Sequence, residues 1–146
     1  MFRTIHHTSF TVSNIDHSLA FYRDILGMEV VVERDVETGY LKDLMGFSPL
    51  RLRLVFLKLG DVFLELIQYL TPTGKPVDTT KNNPGTAHIC FLVDDIREAY
   101  EHLVSNGVRV QSVPVAITFG PNKGGYALFM FDPDGIPLEL LQTPNK

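Results

Sequence analysis

Apolar and polar residues alternate from Ile5 to Val12, in "IHHTSFTV", with the period of a strand that buries one face. In "SNIDHSLAFYRDILG" the period changes. Ser13 or Asn14 can cap a helix, Leu19, Phe21, Tyr22, Ile25 and Leu26 recur at helical spacing, and Gly27 suits a C-terminal stop. "MEVVVERDV" reads as a second strand, followed by a stretch of turn and loop residues. "RLRLVFLKLG" and "VFLELIQYL" then read as two strands joined at Gly60-Asp61. Residues 1–70 therefore predict a βαβββ module.

A connector over 71–85 carries three of the nine prolines and no apolar periodicity. The order of elements then begins again over 86–146. "AHICFLVDDIREAYEHLVSNGVRV" predicts a strand, a cap at Asp94 or Asp95, an amphipathic helix, a stop at Gly107 and another strand. "QSVPVAITFG" and "GYALFMFDPDGIPLELLQ" supply the remaining strands, with Asp134-Gly135 as a hairpin turn. An offset of 81 residues superposes His7 on His88, Phe10 on Phe91, Val12 on Val93 and Ile15 on Ile96, and "LELIQ" recurs as "LELLQ". This is an internal duplication, and the expected fold class is α+β, two tandem βαβββ modules in one 1–146 domain.

Composition narrows the function classes. Seventeen acidic residues against 13 basic ones, with the basic residues scattered, give no footprint for a phosphate backbone, so nucleic acid is not an expected partner. No apolar run has bilayer length, and the N-terminus lacks the features of a signal peptide, so a cytoplasmic protein that binds no membrane is expected. The single cysteine, Cys90, lies in "HICFLV" and reads as a buried small hydrophobe.

Side chains of equal parity share a strand face. His7 shares its face with Ser9 and Thr11, while His6 falls on the other and reads as structural, so its replacement is expected to spare metal binding. His88 shares a face with Cys90 and Leu92. Glu65 and Glu139 each stand in a strongly apolar strand, where an unpaired carboxylate costs on the order of several kcal/mol unless a cation or donors compensate. Two imidazoles and two carboxylates, repeated as pairs, suit a divalent Zn, Ni, Co, Mn or Fe ion with positions left open for substrate. His17 and His102, in the helices near charged neighbours, read as solvent-facing.

"HTSFTVSNIDHSLAFYRDILGM" and "DPDG" shortly before Glu139 resemble the vicinal oxygen chelate superfamily, which includes glyoxalase I, methylmalonyl-CoA epimerase, extradiol dioxygenases and bleomycin or fosfomycin resistance proteins. The resemblance implies that the two modules form a cupped mixed β-sheet with helices on the outer face, with metal ligands His7, Glu65, His88 and Glu139, and a homodimer. A His, Glu, His, Glu set is that of bacterial glyoxalase I, and the epimerase has Gln where Glu65 stands. The arginine and asparagine with which bacterial glyoxalase I holds glutathione are replaced by Thr11 and Tyr69, and "GTAH" departs from the second glyoxalase signature. Extradiol enzymes carry a tyrosine where this chain has Phe129, and no histidine follows His102.

These features together predict a lyase or isomerase that forms a metal-stabilised enolate on a small oxygen-chelating substrate without glutathione. Glu139 or Glu65 would transfer the proton, and Glu37, in "ERDVETG", resembles the epimerase's acidic stretch and is a third candidate base. Tyr69, Phe63 and Thr11 are candidate pocket residues, and Lys123, in "GPNKGGYA", is a candidate partner for a substrate carboxylate or phosphate. The competing readings are an Fe(II) dioxygenase, since two histidines and a carboxylate make a facial triad, and a non-catalytic ligand-binding or resistance protein.

Overall fold

In a computed structural model, every residue except Thr38, Asn145 and Lys146 is described. The chain divides between Pro76 and Val77, inside the predicted connector, into two units. The first contains β1 (Thr8–Thr11), α1 (Ile15–Leu19), β2 (Glu29–Val36), α2 (Tyr40–Met45), β3 (Arg51–Leu59) and β4 (Val62–Thr71). Its sheet has the order β1-β4-β3-β2, with β1 parallel to β4 and the other pairs antiparallel. The Gly60-Asp61 turn is as predicted, Leu59 pairing with Val62 across it.

One face of this sheet packs on the helix. Phe10, Val55, Leu57, Leu64 and Leu66 bury that face together with Ile15, Leu19 and Tyr22. Asn14 caps α1 by accepting a hydrogen bond from the His17 amide. Past Leu19 the helix widens into a π-helical stretch, Ala20–Ile25, where the Leu26 amide reaches back five residues to the Phe21 carbonyl at 3.0 Å. Arg53, on the same sheet face, ties β3 to Asp16 of the first helical turn at 3.1 Å and to Glu33 of β2 at 2.9 Å.

The other face of the same sheet carries Leu52, Leu54, Phe56, Glu65, Ile67 and Tyr69, by the register of β3 and β4. Here the sequence reading is corrected: α2 forms in the stretch read as loop. Its Leu41 and Met45 pack with Leu50, Leu52, Ile67, Val36, Leu54 and Tyr69 in a separate apolar cluster. Glycines bound this short helix on both sides, Gly46 adopting the left-handed conformation at its end. β1 is also shorter than predicted, since His6 and His7 precede its first paired residue, Thr8.

The second unit contains β5 (Ile89–Leu92), α3 (Ile96–Ser105), β6 (Val115–Ala116), β7 (Tyr126–Phe131) and β8 (Pro137–Gln142), with the sheet order β5-β8-β7-β6. It repeats the first topology: β5 is parallel to β8 and the remaining pairs are antiparallel. Asp95 caps α3 by accepting from the Arg97 and Glu98 amides. Asp132 accepts from the amides of Asp134 and Ile136 and shapes the β7–β8 turn. The strand predicted directly after Gly107 is reduced to a single bridge between Val110 and Met130, and Pro114, lacking an N–H, precedes the two-residue β6. Among the described residues no helix is long and apolar enough to cross a membrane.

Candidate metal centre

The parallel register of β1 and β4 sets Ser9 beside Glu65, which brings His7, just ahead of the strand, to the same carboxylate. His7 Nε2 lies 3.4 Å from Glu65 Oε2, with the side chains 33% and 14% exposed. Phe56 faces Glu65 across the β3–β4 ladder, and His7 meets its ring edge-on, centroids 5.3 Å apart. Strand pairing alone thus assembles a histidine, a glutamate and a phenylalanine.

The second unit builds the same trio. His88 Nε2 lies 3.1 Å from Glu139 Oε2, with exposures of 44% and 24%, and His88 meets Phe129 edge-on at 5.2 Å. Phe129 pairs with Glu139 across β7–β8, as Phe56 does with Glu65. Cys90, opposite Glu139 in the β5–β8 ladder, is exposed, which corrects its reading as a buried hydrophobe. Partial desolvation, and then the Glu139 charge and hydrogen bond, push its thiol up to about 11, so it is protonated at neutral pH. Lys81 folds back from the connector, its Nζ 5.1 Å from the Phe129 and Phe131 ring centroids and 3.3 Å from Gln111 Oε1.

The other candidates distribute as follows. Phe63 stands two residues before Glu65 on its face, and Thr11, exposed, pairs with Ile67 two residues beyond it. Tyr69 is engaged with the helix-covered end of that face: its hydroxyl lies 3.4 Å from Met45 Sδ and its ring meets Phe47 at 5.8 Å. Glu37 pairs with Arg51 Nε at 2.7 Å on an exposed edge. Arg51 pairs with Thr71, six residues along β4 from Glu65, which puts Glu37 roughly 20 Å away along the strand direction. Glu37 is therefore not brought to the His–Glu pair of its own unit. Lys123 lies exposed in the turn before β7.

His6 departs from the parity argument. Its Nδ1 lies 2.8 Å from His7 Nδ1, and its ring stacks on Phe63 with centroids 6.2 Å apart. Strict alternation does not extend to residues 6 and 7 because they precede the paired strand, so His6 does not point away from its neighbour.

Each pair offers an imidazole nitrogen and a carboxylate oxygen, a donor combination suited to a divalent transition ion. Among the described residues no group of three or more His, Cys, Asp and Glu side chains converges. Phe56, Phe129, Lys81 and His6 were missed as site residues by the sequence reading. The two phenylalanines were within reach of it, since counting back through each hairpin from the glutamate of "LEL" lands on them.

Comparison with known proteins agrees with this architecture. A family model of the glyoxalase/bleomycin resistance protein/dioxygenase superfamily matches residues 4–140. The chain is 30% identical over 145 residues to 2-epi-5-epi-valiolone epimerase of an Actinomyces species, covering 96% of this chain and 79% of that protein. It is 33% identical over 143 residues to lactoylglutathione lyase of Neisseria meningitidis serogroup A, covering 95% and 90%. A glyoxalase family protein from Bacillus cereus shares the fold with a TM-score of 0.85 at 19% identity, covering 99% and 97%. A second, from Enterococcus faecalis, has a TM-score of 0.69 at 28% identity, covering 96% and 98%. The duplicated βαβββ unit, its paired strand ends and these matches converge: the chain belongs to the glyoxalase/bleomycin resistance protein/dioxygenase superfamily.

Proposed function

We propose that the protein is a metal-dependent lyase or isomerase acting on a small oxygen-chelating substrate, with His7, Glu65, His88 and Glu139 as its divalent-metal ligands. The observation that carries this reading is the repetition of the His–Glu contact, at 3.4 Å in one unit and 3.1 Å in the other, each backed by an edge-on phenylalanine. The names of the relatives, a lyase and an epimerase, support the reaction class.

A cation bound there supplies positive charge that acidifies the carbon next to a chelated carbonyl. The rest falls to the chain's own side chains. Glu139 removes the proton from that carbon as a general base and returns it to the same or the neighbouring carbon. Glu65, the corresponding carboxylate of the first unit, is the alternative base. Phe56 and Phe129, edge-on against the imidazoles, keep the rings in place. The position that holds glutathione through an asparagine in bacterial glyoxalase I is here Tyr69, which is engaged with Met45 and Phe47, and this supports a substrate other than a glutathione adduct.

The test combines metal analysis with hydrogen exchange. Purified protein is expected to hold divalent metal and the His7→Ala variant to lose it. The loaded protein, incubated in deuterium oxide with a panel of α-hydroxyketones and hemithioacetals, is expected to incorporate deuterium into at least one without consuming oxygen. Full metal retention by His7→Ala sinks the ligand set. Oxygen uptake with ferrous iron and no exchange moves the protein to the dioxygenase reading.

A further inference from the structure

The duplication that repeats His–Glu–Phe does not repeat the neighbour of His7. His6 Nδ1 lies 2.8 Å from His7 Nδ1, the rings nearly perpendicular at 87°. His6 is held by stacking on Phe63, the two planes only 9° apart, with Lys58 Nζ 5.7 Å from the same phenylalanine ring. At the offset that superposes the halves, His6 corresponds to Ala87, so His88 has no imidazole in that place.

Two ring nitrogens at this distance share a single proton. If His6 carries it, His7 is protonated on Nε2 and donates to Glu65, and no lone pair faces the carboxylate. If His7 carries it, Nε2 is a bare lone pair beside Glu65 Oε2, an arrangement that a cation between the two stabilises.

We propose that His6 is a positioning residue for His7: by accepting the His7 Nδ1 proton it holds His7 in the tautomer whose Nε2 lone pair is free to bind a metal ion. The inference rests on the reading of His7 as a ligand. The exchange balances, because the proton lost from His7 Nε2 is matched by one taken up from water at His6 Nε2 while the shared proton passes from His6 to His7. Both rings stay neutral throughout. His6 is exposed, so its outer nitrogen has water to exchange with. The first unit thus has a device for orienting its imidazole that the second lacks.

The test is the Zn²⁺ dissociation constant, by competition with a chromogenic chelator, for the wild type, His6→Phe and His6→Asn. Phenylalanine keeps a ring to stack on Phe63 and removes the acceptor, whereas asparagine places a carbonyl oxygen close to where Nδ1 sits. His6→Phe is expected to bind Zn²⁺ about 10–100-fold more weakly, and His6→Asn to recover most of that loss. Long-range ¹H–¹⁵N spectra of the zinc-loaded wild type are expected to show His7 protonated on Nδ1. Unchanged affinity in His6→Phe, an equal loss in both variants, or an unprotonated His7 Nδ1 overturns the proposal. Full zinc retention by His7→Ala is a separate outcome that overturns the ligand reading itself.

Discussion

Gln68 Oε1 accepts a hydrogen bond from the Ile15 amide at 3.0 Å, fastening the first turn of α1 to β4. Gln142 does the same for Ile96 of α3, also at 3.0 Å. In each "LEL" ending the glutamate turns to the histidine, and the glutamine three residues on turns to the opposite face, where the helix begins. Ile15 and Ile96 are fully buried, so loss of the acceptor strands an amide that water reaches poorly. Gln68→Ala and Gln142→Ala are each expected to lower unfolding stability by about 1–3 kcal/mol, read from urea denaturation. No shift in the midpoint would show that the amide finds another acceptor.

Arg53 draws Asp16 into an ion pair, and its guanidinium holds the Asp16 carboxyl below the usual carboxylate range, first through the hydrogen bond and then through charge. A carboxyl lowered on folding stabilises above its unfolded value of 3.8, and that contribution is lost as pH falls through the lower folded one. Wild type is therefore expected to melt above Asp16→Asn at neutral pH, with the difference closing as pH falls below the unfolded value of 3.8 and through the lower folded one. Because the pair is exposed, high salt should also narrow the gap. A gap that persists in acid would assign the effect to something other than the carboxylate charge.

How much of this was legible in the sequence depends on how far a residue acts through its own strand. Period and repetition were enough for the long strands, for α3 with its Asp95 cap and for the duplication, because each is written in local alternation or in the 81-residue offset. The helix α2 was not legible, since six residues without a side-chain cap carry little signal and its Leu41 is stabilised by Leu50, Leu52 and Ile67 from other elements. The π-helical stretch was invisible for a related reason: a pattern of apolar residues does not register one added residue per turn. His6 was misplaced because parity was extended past the first paired residue of β1. Cys90 was misjudged because an apolar run on one face says nothing of what covers the other.

The candidate carboxylates separate by neighbourhood. Glu37 is engaged by Arg51 at an exposed edge, whereas Glu65 has His7 and Phe56 beside it and Glu139 has their counterparts. Once a turned-over substrate is in hand, Glu139→Gln is expected to lower kcat by roughly 10²–10⁴-fold, the loss typical of a general base. Glu37→Gln is expected to change kcat less than about tenfold, the low end of what acid–base loss produces. Equal losses in both variants would bring Glu37 back as the base.

The ring contacts of His7 and His88 are unequal. His7 has two ring contacts, Phe56 at 5.3 Å and His6 at 5.1 Å, while Phe129 at 5.2 Å is the aromatic partner of His88. An edge-on aromatic contact contributes about 0.5–1.5 kcal/mol, which is roughly 2–10-fold in an equilibrium constant. Phe129→Leu keeps apolar volume opposite Glu139 but frees the His88 ring to rotate, so zinc affinity should fall by about that factor. Phe56→Leu leaves His7 braced by His6, and its effect on zinc should be smaller. Isothermal titration of both variants compares the two directly, and a larger loss in Phe56→Leu would mean that His6 does not brace His7.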